Sequence, residues 1–297
     1  MDATRLRVLR ELADRETVAA TAVALSMTPS AVSQQLKILG REAGVALLEP
    51  DGRRLRLTDA GRALVLRADE VVAALERADA EMASYRGSPR GRVRVALFPS
   101  GAAMLLPRVL TALRDSGVTI DARDVDEPAS AVPGLLADHD VILTHRDERA
   151  AETSFPRVAV EALMREPIDM VLPLDHLLAQ RDSVRLEDLA AESWISVHGG
   201  FPVDDVLLSI TAVTGVQPRV VQRINDFRVI EELVAAGHGV ALMPRHAIRH
   251  RDVSRKPLAG VRAARIYELA TRVHADRSPA IAKVLETFRQ VARMSVK

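Results

Sequence analysis

The chain has 297 residues, 48% hydrophobic and 27% charged, with 41 Lys and Arg against 40 Asp and Glu for a net charge of +1. That length supports two or more domains with sizeable cores, and a balanced charge neither indicates nor excludes nucleic acid, because local distribution decides. There is no cysteine, which removes disulfides, thiolate zinc fingers and thiolate-held iron–sulfur clusters. No run approaches the roughly 18 apolar residues of a membrane span, and "MDATRLRVLRELADRE" is too charged for a secretion signal, so a cytoplasmic protein is expected.

"TRLRVLRELADRE" predicts a helix with Leu6, Leu9, Leu12 and Ala13 inward, and "TVAATAVALSM" a second with Val18, Ala22 and Leu25 inward. In "TPSAVSQQLKIL", Thr28 suits an N-cap and Pro29 the first helical position. Val32, Leu36 and Leu39 define a buried face, so Ser30, Ser33, Gln34, Lys37 and Arg41 point away from it. Hydroxyls, an amide and cations can bond phosphates and base edges, although a merely solvated face has the same pattern. Gly44 can end this helix. "VALLE" and "RRLRLT" read as short strands around a "PDG" turn, with Arg53, Arg54 and Arg56 following the tip. These are the parts of a winged helix-turn-helix, whose third helix would enter the major groove while the wing arginines reach phosphate or the minor groove. A small helical module that binds protein is the competing reading.

"TDAGRALVLRADEVVAALERADAEMASYRG" predicts a long helix. Leu64, Ala68, Val71, Leu75, Ala78, Met82 and Tyr85 alternate four and three apart, the spacing of a dimer seam, unless the stripe packs on its own chain. "RGSPRGR" then breaks the helix and reads as a hinge.

The remaining chain alternates strands and helices, so the fold class is α/β overall. "VRVALFP", "VTIDARDV" and "DVILTH" are strands separated by helical segments; "RVAVEALMREPIDMVLP" reads as a pair of strands. Strands are also expected at "PRVVQRIN", "VALMPRHAI" and "RIYELATRVH", with a final helix at "SPAIAKVLETFRQVARM". Such sheets bind small molecules beyond the C-terminal ends of their strands. Ser100 lies between a strand and a helix, where it either joins the helix amides in an anion site or caps the helix. Thr144 and His145 follow the third strand towards the same cleft, or are simple loop residues. No G-x-G-x-x-G, G-x-S-x-G, P-loop or H-E-x-x-H occurs, and the eight His are scattered along the chain. No catalytic set, metal site or cofactor is expected.

"VAATAVALSMTPSAVSQQLKILGREAGVALLEPDGRRLRLTDAG", "LDHLLAQRDSVRLEDLAAESWI" and "AAGHGVALMP" make the whole chain resemble a LysR-type transcriptional regulator. The resemblance implies a winged helix-turn-helix domain over residues 1–58, a linker and dimerisation helix over 59–86, a hinge over 87–92, and an effector domain over 93–297 similar to a type 2 periplasmic binding protein. Lobe I would comprise about 93–165 and 265–297, and lobe II about 166–264. It further implies a sequence-specific regulator of promoter DNA, acting as a homodimer or homotetramer, contacting RNA polymerase and modulated by a small molecule between the lobes. The alternative is a small-molecule binding protein with a vestigial DNA module.

By position, the resemblance puts Thr28, Pro29, Ser30, Ser33, Gln34, Gln35 and Lys37 at the major groove and Arg53 and Arg54 in the wing. It puts Pro99, Ser100, Gly101, Thr144 and His145 on one side of the effector site. Ser196, Gly199, Gly200, Phe201, Asn225 and Phe227 would lie on the other. Dimerisation falls to Leu64, Ala68, Val71, Leu75, Ala78 and Met82. Trp194 is expected in the core. Three features depart from the family pattern: Leu48 and Pro50 in "LLEP", Leu177 where proline is usual, and "DVILTHRDE" in place of a small apolar stretch. With His145, Arg146 and Arg149, that last segment leads to the expectation of an anionic effector.

Overall fold

The computed structural model describes residues 1–51, 54–85, 91–215 and 217–295. The N-terminal unit packs α1 (Ala3–Arg15), α2 (Val18–Ala24) and α3 (Pro29–Ala43) around Leu6, Leu9, Leu12, Ala22, Val32, Leu36 and Leu39. Thr28 caps α3 by accepting the Ala31 amide at 3.2 Å, and Gly44 ends it in the left-handed region, as the sequence predicts. The hairpin is β1 (Leu48–Asp51) against β2 (Arg54–Leu57). β1 starts later than "VALLE" predicts. The carbonyls of Ala46 and Leu47 are instead taken by the Thr58 hydroxyl and amide, which pin this segment to the start of the next helix.

That helix, α4 (Asp59–Tyr85), spans about 40 Å at ~1.5 Å per residue. Gly61 lets it pass the hairpin: a Cβ there would lie 2.1 Å from the Leu47 carbonyl oxygen. One face of α4, with Val65, Ala68, Asp69 and Val72, is buried in its own chain.

The rest forms a nine-stranded sheet. Its elements are β3 (Gly91–Leu97), α5 (Pro99–Leu113), β4 (Val118–Asp124), α6 (Val132–Leu135), β5 (Val141–Asp147), β6 (Val158–Pro173), β7 (Ser193–Ser196), α7 (Pro202–Thr214), β8 (Arg219–Arg223), α8 (Phe227–Ala235), β9 (Val240–Pro244), β10 (Val253–Lys256), β11 (Ala264–Arg272) and α9 (Pro279–Ser295). The strand order is β4-β3-β5-β11-β6-β9-β7-β8, with β10 also on β6. "RVAVEALMREPIDMVLP" is one continuous strand, where the sequence predicts two. Residues 158–167 of β6 pair with β11 in the first lobe, and Ile168 onwards pair with β9 in the second. One strand therefore serves both lobes of the sheet, and its mid-strand charges mark the crossing between them. β10 has no counterpart among the expected elements; it adds four residues to the edge of β6.

Each lobe has its own core. Val95, Leu97, Leu143, Leu269 and Phe288 fill the first, with α9 returning to it from the C-terminal end. Met170, Trp194, Ile195, Ile230 and Leu242 fill the second, and Trp194 is fully buried there. Two cores joined by crossing strands leave a cleft between them. Among the described residues, no helix is long and apolar enough to cross a membrane.

Candidate functional sites

The outward face of α3 carries Ser30, Ser33, Gln34 and Lys37, all exposed, while Gln35 is half-buried at the edge. Ser30 bonds the Thr28 hydroxyl at 3.0 Å, which leaves Ser33, Gln34 and Lys37 as side chains without a protein partner among the described residues. Polar side chains presented together on one helix face and left open suit an external polar partner. α2 precedes α3 by a tight turn in which Ser26 adopts φ 51°, a left-handed conformation unusual outside glycine. In the hairpin, Arg56 pairs with Glu49 at 2.6 Å, Arg54 opens β2, and Arg53 lies outside the described residues.

Along α4, Val71, Leu75, Ala78 and Met82 are exposed. Leu64 is half-buried and Ala68 fully buried against the N-terminal core, because α4 still lies along its own domain there. The open apolar stripe begins at Val71. Tyr85 ends α4; of the hinge expected over 87–92, residues 87–90 lie outside the described residues, and Gly91 and Arg92 belong to β3 instead.

Between the lobes is a cavity of about 1160 Å³, with Pro99, Ser100 and Met104 on one side and Phe201, Asn225 and Phe227 on the other. His145 and Arg265 reach it from the sheet. Phe98 occupies the N-cap position of α5 and offers no side-chain cap; Ser100 is inside the first turn. The helix-capping reading of Ser100 is thereby corrected. Its hydroxyl instead accepts the Arg265 Nη2 at 2.9 Å. Pro99 has no amide hydrogen, so the Ser100 and Gly101 amides are the first-turn donors of α5, and they have no side-chain cap.

Beneath them lies a closed polar network. Arg265 Nε donates to Glu166 Oε2 at 2.8 Å, and the Tyr267 hydroxyl donates to the same oxygen at 2.8 Å. Glu166 Oε1 accepts the backbone amide of His246 at 3.0 Å. Burial alone would raise the Glu166 carboxyl, but Arg265 and the donors around it outweigh burial and hold it at about 2. His145 lies 3.2 Å from Arg265 and stacks on Phe98 with ring centroids 4.0 Å apart. Burial, and then the Arg265 charge, push the His145 imidazole well below its ordinary value, so it is neutral. Burial pushes the Tyr267 hydroxyl up, so it remains protonated.

Of the remaining expected residues, all but Asn225 are placed away from the cavity. Thr144 and Arg146 alternate to the opposite face of β5 from His145, as strand geometry requires. There Arg146 bonds Glu268 at 2.7 Å, so it adds no charge to the cleft. Arg149 donates to the Val206 carbonyl at 3.1 Å. Gly101 packs under Phe98, where a Cβ would meet the ring at 2.5 Å. Ser196 is buried and donates to Asp204 at 3.0 Å. Gly199 and Gly200 precede α7 without lining the cavity. Asn225 bridges the mouth of the cleft by donating to Asp126 at 2.7 Å. Sequence reasoning missed Glu166, Arg265, Tyr267 and His246; the available signal was charge in the middle of the otherwise apolar strands "MREPID" and "RIYELA".

A polar helix on a helix-turn-helix, joined to a two-lobed domain with an internal cleft, defines a DNA-binding protein with a small-molecule module. Residues 3–62 match the bacterial regulatory helix-turn-helix protein model of the LysR family, and residues 86–293 match the LysR substrate binding domain. The chain belongs to the LysR family of DNA-binding transcriptional regulators with an effector-binding domain. It is 28% identical over 244 residues to the transcriptional dual regulator GltC of Bacillus subtilis, covering 82% of this chain and 81% of that protein. It is also 28% identical over 262 residues to the DNA-binding transcriptional dual regulator OxyR of Escherichia coli, covering 85% and 83%. In fold it is similar to a full-length OxyR variant from Pseudomonas aeruginosa, with a TM-score of 0.69, 21% identity and coverage of 99% and 97%. Full-length CbnR in complex with its target DNA gives a TM-score of 0.57 at 23% identity, covering 98% and 100%.

Proposed function

We propose that this protein reads a promoter sequence with α3 and changes its action there when a small molecule carrying an anionic group occupies the cleft between the lobes. The observation that carries the reading is the pairing of two unlike open sites in one chain: exposed Ser33, Gln34 and Lys37 on α3, and a cavity of about 1160 Å³ headed by the uncapped amides of α5. A helix N-terminus favours negative charge by roughly 0.3–1 kcal/mol, and more when partly buried. The anion preference rests on those amides and Ser100, because the Arg265 charge is neutralised by Glu166. Phe201, Phe227 and Met104 offer apolar walls for the rest of the ligand. Thiol chemistry has no part in sensing, since the 297 residues contain no cysteine.

Val71, Leu75, Ala78 and Met82 serve as a homodimer seam, which places two α3 helices on two half-sites. A homotetramer and a contact with RNA polymerase follow from the family reading. Residues 1–58, 59–86 and 93–297 act as reading head, dimer helix and effector domain, with the hinge ending where Gly91 opens β3.

Mobility-shift titration on DNA beside the protein's own gene, at several salt concentrations, tests the reading. Affinity should fall steeply with salt while preference for one site persists. Equal affinity for that DNA and random DNA would leave the vestigial-module alternative standing. A thermal-shift screen of small carboxylates then tests the cleft.

A further inference from the structure

Resting on the reading of the cleft as an effector site, we propose that β6 and β11 form a ribbon that carries the state of the cleft to the DNA-binding domain through a buried clamp of Arg157 and Arg272 on Asp14 and Asp69. The two strands pair antiparallel. At the cleft end, Arg265 is opposite Glu166; at the other end, Arg272 is opposite Val158. The ends are separated by about 23 Å, taking ~3.3 Å per residue. Arg157 immediately precedes β6.

At that far end the ribbon meets the N-terminal unit. Arg157 Nε and Nη2 donate to the two oxygens of Asp69 on α4, at 2.7 and 2.9 Å. Its Nη1 donates to one oxygen of Asp14 on α1 at 2.8 Å, and Arg272 Nη1 donates to the other oxygen. Every carboxylate oxygen in the cluster therefore has a cationic donor, and two charges of each sign cancel. The Asp14 and Asp69 side chains are only 6% and 3% exposed, which separates this cluster from screened surface pairs. Arg272 also donates to the Leu136 carbonyl, and Arg15 of α1 pairs with Asp138 at 2.6 Å, which widens the contact. Arg157 adopts φ 63°, a left-handed backbone conformation that a non-glycine residue keeps only when its surroundings hold it.

The Arg157 and Arg272 side chains are 18% and 20% exposed, so removing either one leaves a buried carboxylate oxygen without its cationic donor. α1, the first half of α4 and the first lobe then move as one body, and α3 rides on α1. A ligand that shifts the Glu166–Arg265 end relative to the second lobe reorients the DNA-binding domain without relying on the connecting segment 86–90. Coupling of this kind needs a shared two-state element, and the ribbon supplies it.

The absence of cysteine makes the test direct. Arg7→Cys on α1 and Ala112→Cys on α5, both exposed, take spin labels in the full-length protein, diluted with unlabelled chain so that intrachain distances dominate. Dipolar spectroscopy should give one narrow distance distribution. Arg157→Gly keeps the left-handed backbone and removes the guanidinium; Asp69→Asn alters the other partner. Each should broaden the distribution while the circular dichroism spectrum is retained. A broad distribution in the parent, or a narrow one in both variants, would overturn the clamp. Hydrogen exchange with a bound promoter fragment tests the ribbon: exchange at residues 100–102 of α5 and at residues 245–248 should shift on DNA binding, and the shift should be lost in Arg157→Gly. An unaltered cleft in the parent with DNA bound, or a shift that persists in the variant, would overturn the ribbon. Failure to bind any promoter fragment would instead sink the functional reading, and leave the spin-label result to decide the clamp alone.

Discussion

The N-terminal unit and the effector cleft treat their polar and apolar groups in opposite ways. α3 leaves Ser33, Gln34 and Lys37 without protein partners among the described residues, and α4 leaves Val71, Leu75 and Met82 uncovered, Met82 to 49% exposure. In the cleft, Glu166, Arg265, Tyr267 and Ser100 satisfy one another, and Glu166 and Arg265 are each about 1% exposed. The difference fits the partner proposed for each region. A duplex or a second chain supplies hydrogen bonds and apolar area on a large scale, so its docking faces remain open. A cleft must stay folded while empty, so its buried charges are paired within the chain. Substitutions on the open faces should alter assembly and DNA binding with little change in stability, whereas substitutions in the network should reduce stability.

The largest break is expected at the seam. Leu75→Lys removes two leucines from the proposed dimer contact, each worth about 1.5–3 kcal/mol of burial, and sets two cations against each other. Light scattering should show a smaller assembly, with the melting of the monomeric unit nearly unchanged. An unaltered oligomer would place the seam elsewhere.

Glu166→Gln should act in the opposite way. It leaves the Arg265 guanidinium buried without its counter-charge, at a cost of about 3–5 kcal/mol, read by chemical denaturation. The pH dependence follows from the same pair. The folded carboxyl titrates at about 2, below its usual 4.5, so its contribution is complete above that usual value and is lost as pH falls through about 2. This amounts to about 3 kcal/mol of acid-sensitive stability. The parent protein should lose it in that window and Glu166→Gln should not; parallel acid-unfolding curves would contradict the assignment.

Ser33→Ala and Gln34→Ala sharpen the comparison on the open side. Each should weaken specific DNA binding by about 1–3 kcal/mol while leaving random-sequence binding and thermal stability close to the parent. Equal losses on both DNAs would reduce these residues to phosphate contacts.

The smallest effect is expected where the two behaviours meet. Ser100 belongs to the closed network through Arg265 and also borders the open amides of α5. Ser100→Ala should cost about 1 kcal/mol of stability and also weaken binding of whichever carboxylate the thermal-shift screen identifies. A lower melting temperature with unchanged ligand affinity would confine the hydroxyl to the network.

The polar helix α3 was legible because everything that defines it lies between its caps, Thr28 and Gly44. Cap, proline, buried period and polar face are local, and α3 has the limits they imply. The cleft was legible only in part. Ser100, His145, Phe201, Asn225 and Phe227 line it or reach it, but Thr144 and Arg146 turn away, because a strand alternates faces and a loop reading does not. The buried charges at its floor were missed, since an arginine and a glutamate about a hundred residues apart carry no mark of being opposite one another until β6 and β11 pair.

Period, caps and turn residues determined the helix-turn-helix, the long helix with its apolar stripe, and the alternation of strands and helices, because each depends on neighbours within a turn or a pleat. Only the tertiary structure decided that β6 is one strand shared by two lobes and that Ala68 is core while Val71 is open. It also decided that Asp14, Asp69, Arg157 and Arg272 close on each other across the domain boundary. Those outcomes depend on which surfaces meet. Charge pairing and burial are properties of the meeting and not of either segment alone.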